Sequence, residues 1–157
     1  MSDTLDRTAT TTSRTSATGD RRVGIIGTLV IVAGVILALS GAGTWALVQD
    51  SLGDERVTVS EDAARFGGDK VDGPLTAYYE ADIIETHALE SSGGKTYAEL
   101  DREDPVRATV MNGSFLRASL FTSVVSFGVA AMAMGLGVVF VLIGCALRSI
   151  GKTARTV

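Results

Sequence analysis

Apolar and polar positions alternate on two different scales along this chain. On the long scale, two unbroken apolar runs, 23–48 and 116–147, flank a polar middle. The first run is 26 residues long and contains no Asp, Glu, Lys, Arg or His. As helix it extends about 39 Å at 1.5 Å per residue, more than the ~30 Å of a bilayer's hydrocarbon core, so it spans with tilt. Its 13 Leu, Ile and Val residues favour insertion by on the order of 4 to 8 kcal/mol before glycine penalties. The second run carries one charge, Arg117, at its edge. A buried core helix of a soluble protein is the plain alternative, but the rest of the chain is too short and polar to cover two such helices. A signal peptide has an apolar region of only about 7–15 residues, so an uncleaved anchor is expected.

The short scale lies between the runs. Residues 56–59 alternate polar and apolar as a short strand does. Ser60, followed by Glu61 and Asp62, has the form of a cap on a short helical turn that Gly67-Gly68 ends. After the Gly73-Pro74 turn, residues 75–89 read as an amphipathic helix with Ala77, Ala81, Ile84 and Ala88 on one face, stopped by Gly93-Gly94. Thr96 and Glu99 form a capping-box pattern for a short helix through Arg102. Asp104-Pro105 pairs an Asp N-cap with Pro at the first helical position, so the second spanning helix is expected to begin near Pro105 and run about 40 residues.

The expected fold class is an all-α membrane protein: a two-helix transmembrane hairpin with a small, mostly helical extracytoplasmic loop domain. Its divisions are a disordered cytoplasmic tail (1–22), the first span (23–48), the loop domain (49–115), the second span (116–147) and a basic cytoplasmic tail (148–157). Orientation follows from the arginines and lysine outside the spans. Arg7, Arg14, Arg21 and Arg22 precede the first, and Arg148, Lys152 and Arg155 follow the second, which predicts both termini in the cytoplasm. Residues 50–115 hold 15 acidic and 6 basic side chains. Trp45 and Arg117 fall near the outer ends of the spans, where an aromatic anchors at the interface and an arginine snorkels to the headgroups.

Small residues are not scattered at random in the spans. Gly24, Gly27, Gly34, Ala38 and Gly41 form one heptad-like stripe on the first. The second has two: Gly128, Ala131 and Gly135 together, and Ser126, Ala130, Ala133, Gly137 and Gly144 roughly opposite. Lipid tails are as apolar as the helices, so association in a bilayer depends on close van der Waals approach, which small residues permit. One face of the second span is expected to receive the first, leaving the other for a second chain or a foreign partner. A general Gly and Ala bias from a GC-rich genome is the competing explanation.

Candidate chemistry is sparse. The spans hold no mid-depth carboxylate, His or Lys of the kind a proton relay needs. His87 is the only histidine, and with Glu80, Asp82 and Glu85 at helical spacing it reads as solvated surface rather than a metal site. Asp101, Glu103 and Asp104 lack a calcium-loop pattern and suit the start of a helix instead. Cys145, the only cysteine, leaves the loop without a disulfide. The negative loop argues against nucleic acid. No catalytic residue, metal ligand, cofactor or small-molecule substrate is expected; the expected partners are membrane lipids and either a second copy or another membrane protein.

Residues 55–74 (ERVTVSEDAARFGGDKVDGP) and 94–144 (GKTYAELDREDPVRATVMNGSFLRASLFTSVVSFGVAAMAMGLGVVFVLIG) resemble a family of small actinobacterial two-span membrane proteins. The likeness extends over 23–147 and implies the same topology in an actinobacterial cell membrane. Members of that family often carry the label of an aromatic ring-opening dioxygenase. Extradiol cleavage on non-haem iron takes two histidines and a carboxylate. This chain has His87 alone, and Cys145 is expected at the opposite membrane face, so the label does not transfer as an activity. The expected role is a non-enzymatic accessory or scaffold subunit, with a homo-oligomeric small channel as the alternative.

Overall fold

A computed structural model describes the backbone of residues 3–153 and the side chains of residues 22–150. Three α-helices account for most of it: α1 (Asp3–Asp54), α2 (Pro74–Ser91) and α3 (Arg107–Thr153). Among the described residues no strand forms; the single extended pairing is an antiparallel bridge between Thr58 and Lys70. The helix in α1 begins at Asp3, well before the apolar run, so it takes in most of the tail (1–22) that composition alone leaves without order. Once a helix is nucleated, each added residue gains a hydrogen bond for one pair of dihedrals, and no proline interrupts this segment.

The chain divides into two compact units. The first comprises residues 1–41 and 132–157 and contains α1 against the C-terminal part of α3. Gly27, Gly34 and Gly41 are buried at a spacing of seven on α1, as are Gly137 and Gly144 on α3. The pairs Gly27–Gly144 and Gly34–Gly137 run in opposite senses, so the two segments are antiparallel. A heptad spacing keeps one stripe of a helix facing its partner, which is why residues 27 and 34 share a seam.

The second unit, residues 42–131, contains α2, the segments that connect the helices, and the adjoining parts of α1 and α3. Its core consists of Leu52, Val59, Val71, Ala77, Ala81, Leu120 and Phe127, with Trp45, Val48, Ile84, Phe121 and Val124 packed against it. Burying Val59 and Val71, each nearly inaccessible, contributes about 1.5–3 kcal/mol apiece, and Phe127 is equally closed off. The residues expected on the inner face of α2 are there: Ala77 and Ala81 are fully buried, Ile84 and Ala88 half-buried.

Local signals set the ends of the elements, with three departures. Thr76 Oγ1 accepts the Gly73 N–H at 3.1 Å ahead of Pro74, and α2 closes through the Gly94 N–H to Leu89 O bond at 2.7 Å. Gly94 has φ +85°, a left-handed conformation that a side chain would strain. The strand expected at 56–59 is reduced to the Thr58–Lys70 bridge, because Arg56 turns to φ 53° on one side and the partner segment begins only after the turn at Gly68. The helical turn expected after Ser60 is a single turn closed by Ala63 N to Ser60 O at 3.0 Å. The helix expected from Thr96 to Arg102 does not form. Its capping bonds do, with Thr96 N and Oγ1 both 2.8 Å from Glu99 Oε2, but the Arg107 guanidinium takes the Tyr97 and Leu100 carbonyls that a continuing helix would use. Regular α3 starts at Arg107, two residues beyond Pro105, with Asp104 Oδ1 accepting the Val106 N–H at 2.9 Å as a cap.

Candidate functional site

The first candidate is the glycine seam of the first unit. A Cβ atom placed on Gly34 would lie 2.6 Å from Gly137 O and 2.9 Å from Val141 N, and one on Gly144 would lie 2.6 Å from Gly27 O. A Cβ on Gly137 would meet Ala38, its N at 2.6 Å and its Cβ at 2.8 Å. Backbone therefore packs on backbone. Dispersion falls steeply with distance, so this close approach is where cohesion between the two helices is strongest. At one end Arg148 closes the seam, its Cγ 2.9 Å from the Gly27 position.

The expected stripe residues separate into users and non-users. Gly27, Gly34, Ala38, Gly137 and Gly144 make the seam, and Gly41 is buried with them. Gly24 does not take part: it is half-buried, and a Cβ there would meet nothing within 4 Å. On α3, Ala130 is buried in the second unit. Gly128, Ala131 and Gly135 are exposed, and a Cβ on Gly128 or Gly135 would enter open space.

The two residues expected as interface anchors have protein partners. Trp45 is half-buried and meets Phe127 edge-on, with ring centroids 4.7 Å apart. Aromatic pairs favour this arrangement because the positive edge of one ring faces the negative face of the other. Arg117 reaches Glu85 at 2.7 Å and lies over the Phe121 ring at 5.1 Å, so the outward snorkelling expected of it gives way to a pair with α2. Gly113 lets α3 approach α2 there, since a Cβ would lie 3.2 Å from that of Ala88.

Polar contacts of the second unit that join residues far apart in sequence escape a reading of periodicity. His87 Nε2 lies 2.7 Å from Asp62 Oδ2. That hydrogen bond raises the His87 pKa above 6.5 and lowers that of Asp62 below 3.8. Glu99 is held below its usual carboxylate range by the Thr96 N–H and hydroxyl. Glu80 is the buried charged residue of the core, its Oε2 accepting the Ser60 N–H at 2.8 Å. Among the described residues, no group of three or more His, Cys, Asp or Glu side chains is placed to hold a metal.

The remaining surface of the long helices is apolar. Ile25, Leu29, Ile36 and Leu39 on α1, and Val125, Met132, Val138 and Leu142 on α3, are all at least half exposed. In the most apolar stretches of 22–54 and 107–150, only 11% and 17% of residues are buried, far from the burial of a soluble core helix. Both helices are long and apolar enough to cross a membrane. No family model matches the chain, and no curated protein or solved structure matches it either.

Proposed function

We propose that this chain is a non-enzymatic integral membrane protein, a two-span hairpin with both termini in the cytoplasm and residues 49–115 outside. In this role it is an accessory or scaffold subunit that associates with another membrane protein, or with itself, through a small-residue helix face. The observation that carries the reading is the division of small residues on α3. Gly137 and Gly144 are occupied by α1, whereas Gly128, Ala131 and Gly135 face open space on a helix otherwise clothed in large apolar side chains. A bare stripe leaves lipid chains poorly packed, and a second helix fills it better. The likeness to small actinobacterial two-span membrane proteins belongs to the same reading, with the cell membrane as location.

A small channel is less favoured. The hydroxyls of Thr28, Thr122, Ser123 and Ser126 each donate to the carbonyl four residues earlier, which spends the donors a polar pore lining would offer. The test is cross-linking in intact cells with identification of the captured chains, for the native protein and for Gly128→Leu and Gly135→Leu. Loss of a specific captured chain in the variants, with abundance unchanged, supports the scaffold role. Capture indifferent to both substitutions removes it, and a closed homo-oligomer that passes ions in a planar bilayer establishes the channel instead.

A further inference from the structure

Inside the second unit lies a cavity of about 230 Å³ whose walls are mostly aliphatic, among them Leu52, Val71, Ile84, Leu116 and Leu120. Two carboxylates, Glu80 and Glu55, and the Ser119 hydroxyl also line it. Glu80 is only 6% exposed, so nearly all of its hydration is gone. One of its oxygens accepts the Ser60 N–H. Among the described residues the ion pairs are His87–Asp62 and Arg117–Glu85, so Glu80 has no salt-bridge partner. Burying a carboxylate is costly unless a positive group and further hydrogen bonds compensate it. His87 senses the Glu80 charge but is hydrogen-bonded to Asp62 instead, so Glu80 stands at the wall of an apolar cavity with no ion pair of its own, which describes half of a binding site.

We infer that this cavity binds a small organic cation, a primary ammonium on a short aliphatic stem, with Glu80 as its counter-charge. An ammonium has three N–H donors and no acceptor, which matches the acceptors offered by Glu80, Glu55 and Ser119. The stem lies along the leucine and valine walls. A divalent metal fits poorly: calcium takes six to eight oxygens, and aliphatic walls supply none. The cavity is smaller than the roughly 300–1,000 Å³ of sites for drug-sized molecules, so the ligand is small. Two sources carry this chemistry: a free alkylamine, and the ammonium end of an ethanolamine phospholipid. The site rests on the interior of the second unit and stands whether or not the scaffold reading holds.

The experiment uses the full chain in an amine-free detergent solution, titrated with butylammonium chloride by calorimetry. Saturable one-site binding is expected, with butanol and calcium chloride failing to compete. Glu80→Gln keeps an acceptor for the Ser60 N–H but removes the charge, and should weaken binding at least tenfold while the near-ultraviolet dichroism of Trp45 stays native. Should that variant misfold, Glu55→Gln and the comparison of butylammonium with butanol carry the test. Absence of butylammonium binding, equal binding of butanol, or undiminished affinity in a folded Glu80→Gln protein overturns the site. In nanodiscs, a lower butylammonium affinity when ethanolamine phospholipid is added to phosphatidylglycerol identifies the lipid as the source; an unchanged affinity identifies the free amine.

Discussion

Gly34 and Gly137 pack backbone to backbone: a Cβ atom on either would lie 2.6 Å from the carbonyl oxygen of the other. No side chain fits there without separating the helices. Gly34→Leu should therefore destabilise the helix pair by about 1–3 kcal/mol or more, the usual cost of overpacking. Gly24→Leu, three residues before Gly27 but facing open space, should leave it unchanged. Thermal unfolding of both variants in the same detergent checks the contrast, and equal midpoints would remove the seam as a source of stability.

Phe127 is the largest fully buried side chain of the second unit and the partner of Trp45. Phe127→Ala should cost about 3–5 kcal/mol, the range for a buried aromatic truncated in place. Because Trp45 is the only tryptophan, its near-ultraviolet dichroism reports the contact directly. That signal should weaken in the variant even where helicity persists. An unaltered spectrum would mean that Trp45 is ordered by something other than this ring.

The Asp62–His87 contact gives the second unit a pH signature. His87 has a raised pKa, so its contribution is complete below the ordinary value of 6.5 and fades as pH rises through the raised one. Asp62 has a lowered pKa, so its contribution holds above 3.8 and is lost as pH falls through the lowered one. The pair is at full strength between those two ordinary values. In proton NMR the His87 ring should titrate above 6.5, and Asp62→Asn should return it toward 6.5. A midpoint indifferent to Asp62→Asn would show that the hydrogen bond does not persist in solution.

Topology is open to a direct probe. In a Cys145→Ser background, a cysteine in place of Lys70 should react with an impermeant maleimide applied to intact cells. One in place of Arg22 should react only after the membrane is opened. The reverse pattern would invert the proposed orientation, and recovery of the full-length chain without detergent would end the membrane reading altogether.

The local pattern of residues decided where helices could form and which side of α2 turned inward. Charge-free apolar runs, the Asp104 cap, the Gly93-Gly94 stop and the Ala77–Ala81 face are all statements about neighbours within a few turns, and helical geometry converts them into structure unaided. Seven-residue spacing likewise marked Gly27, Gly34 and Gly41 as a stripe. It left undetermined which stripe of α3 would meet it, since Gly128–Gly135 and Gly137–Gly144 are equally small. Tertiary packing made that choice, and it also dropped Gly24 from the seam and stopped the helix expected after Thr96 by giving its carbonyls to Arg107. Trp45 on Phe127, Arg117 on Glu85, His87 on Asp62 and the burial of Glu80 each depend on groups brought together from distant parts of the chain. Periodicity carries no information about such partners, because it records which face a residue occupies and not what arrives to cover it.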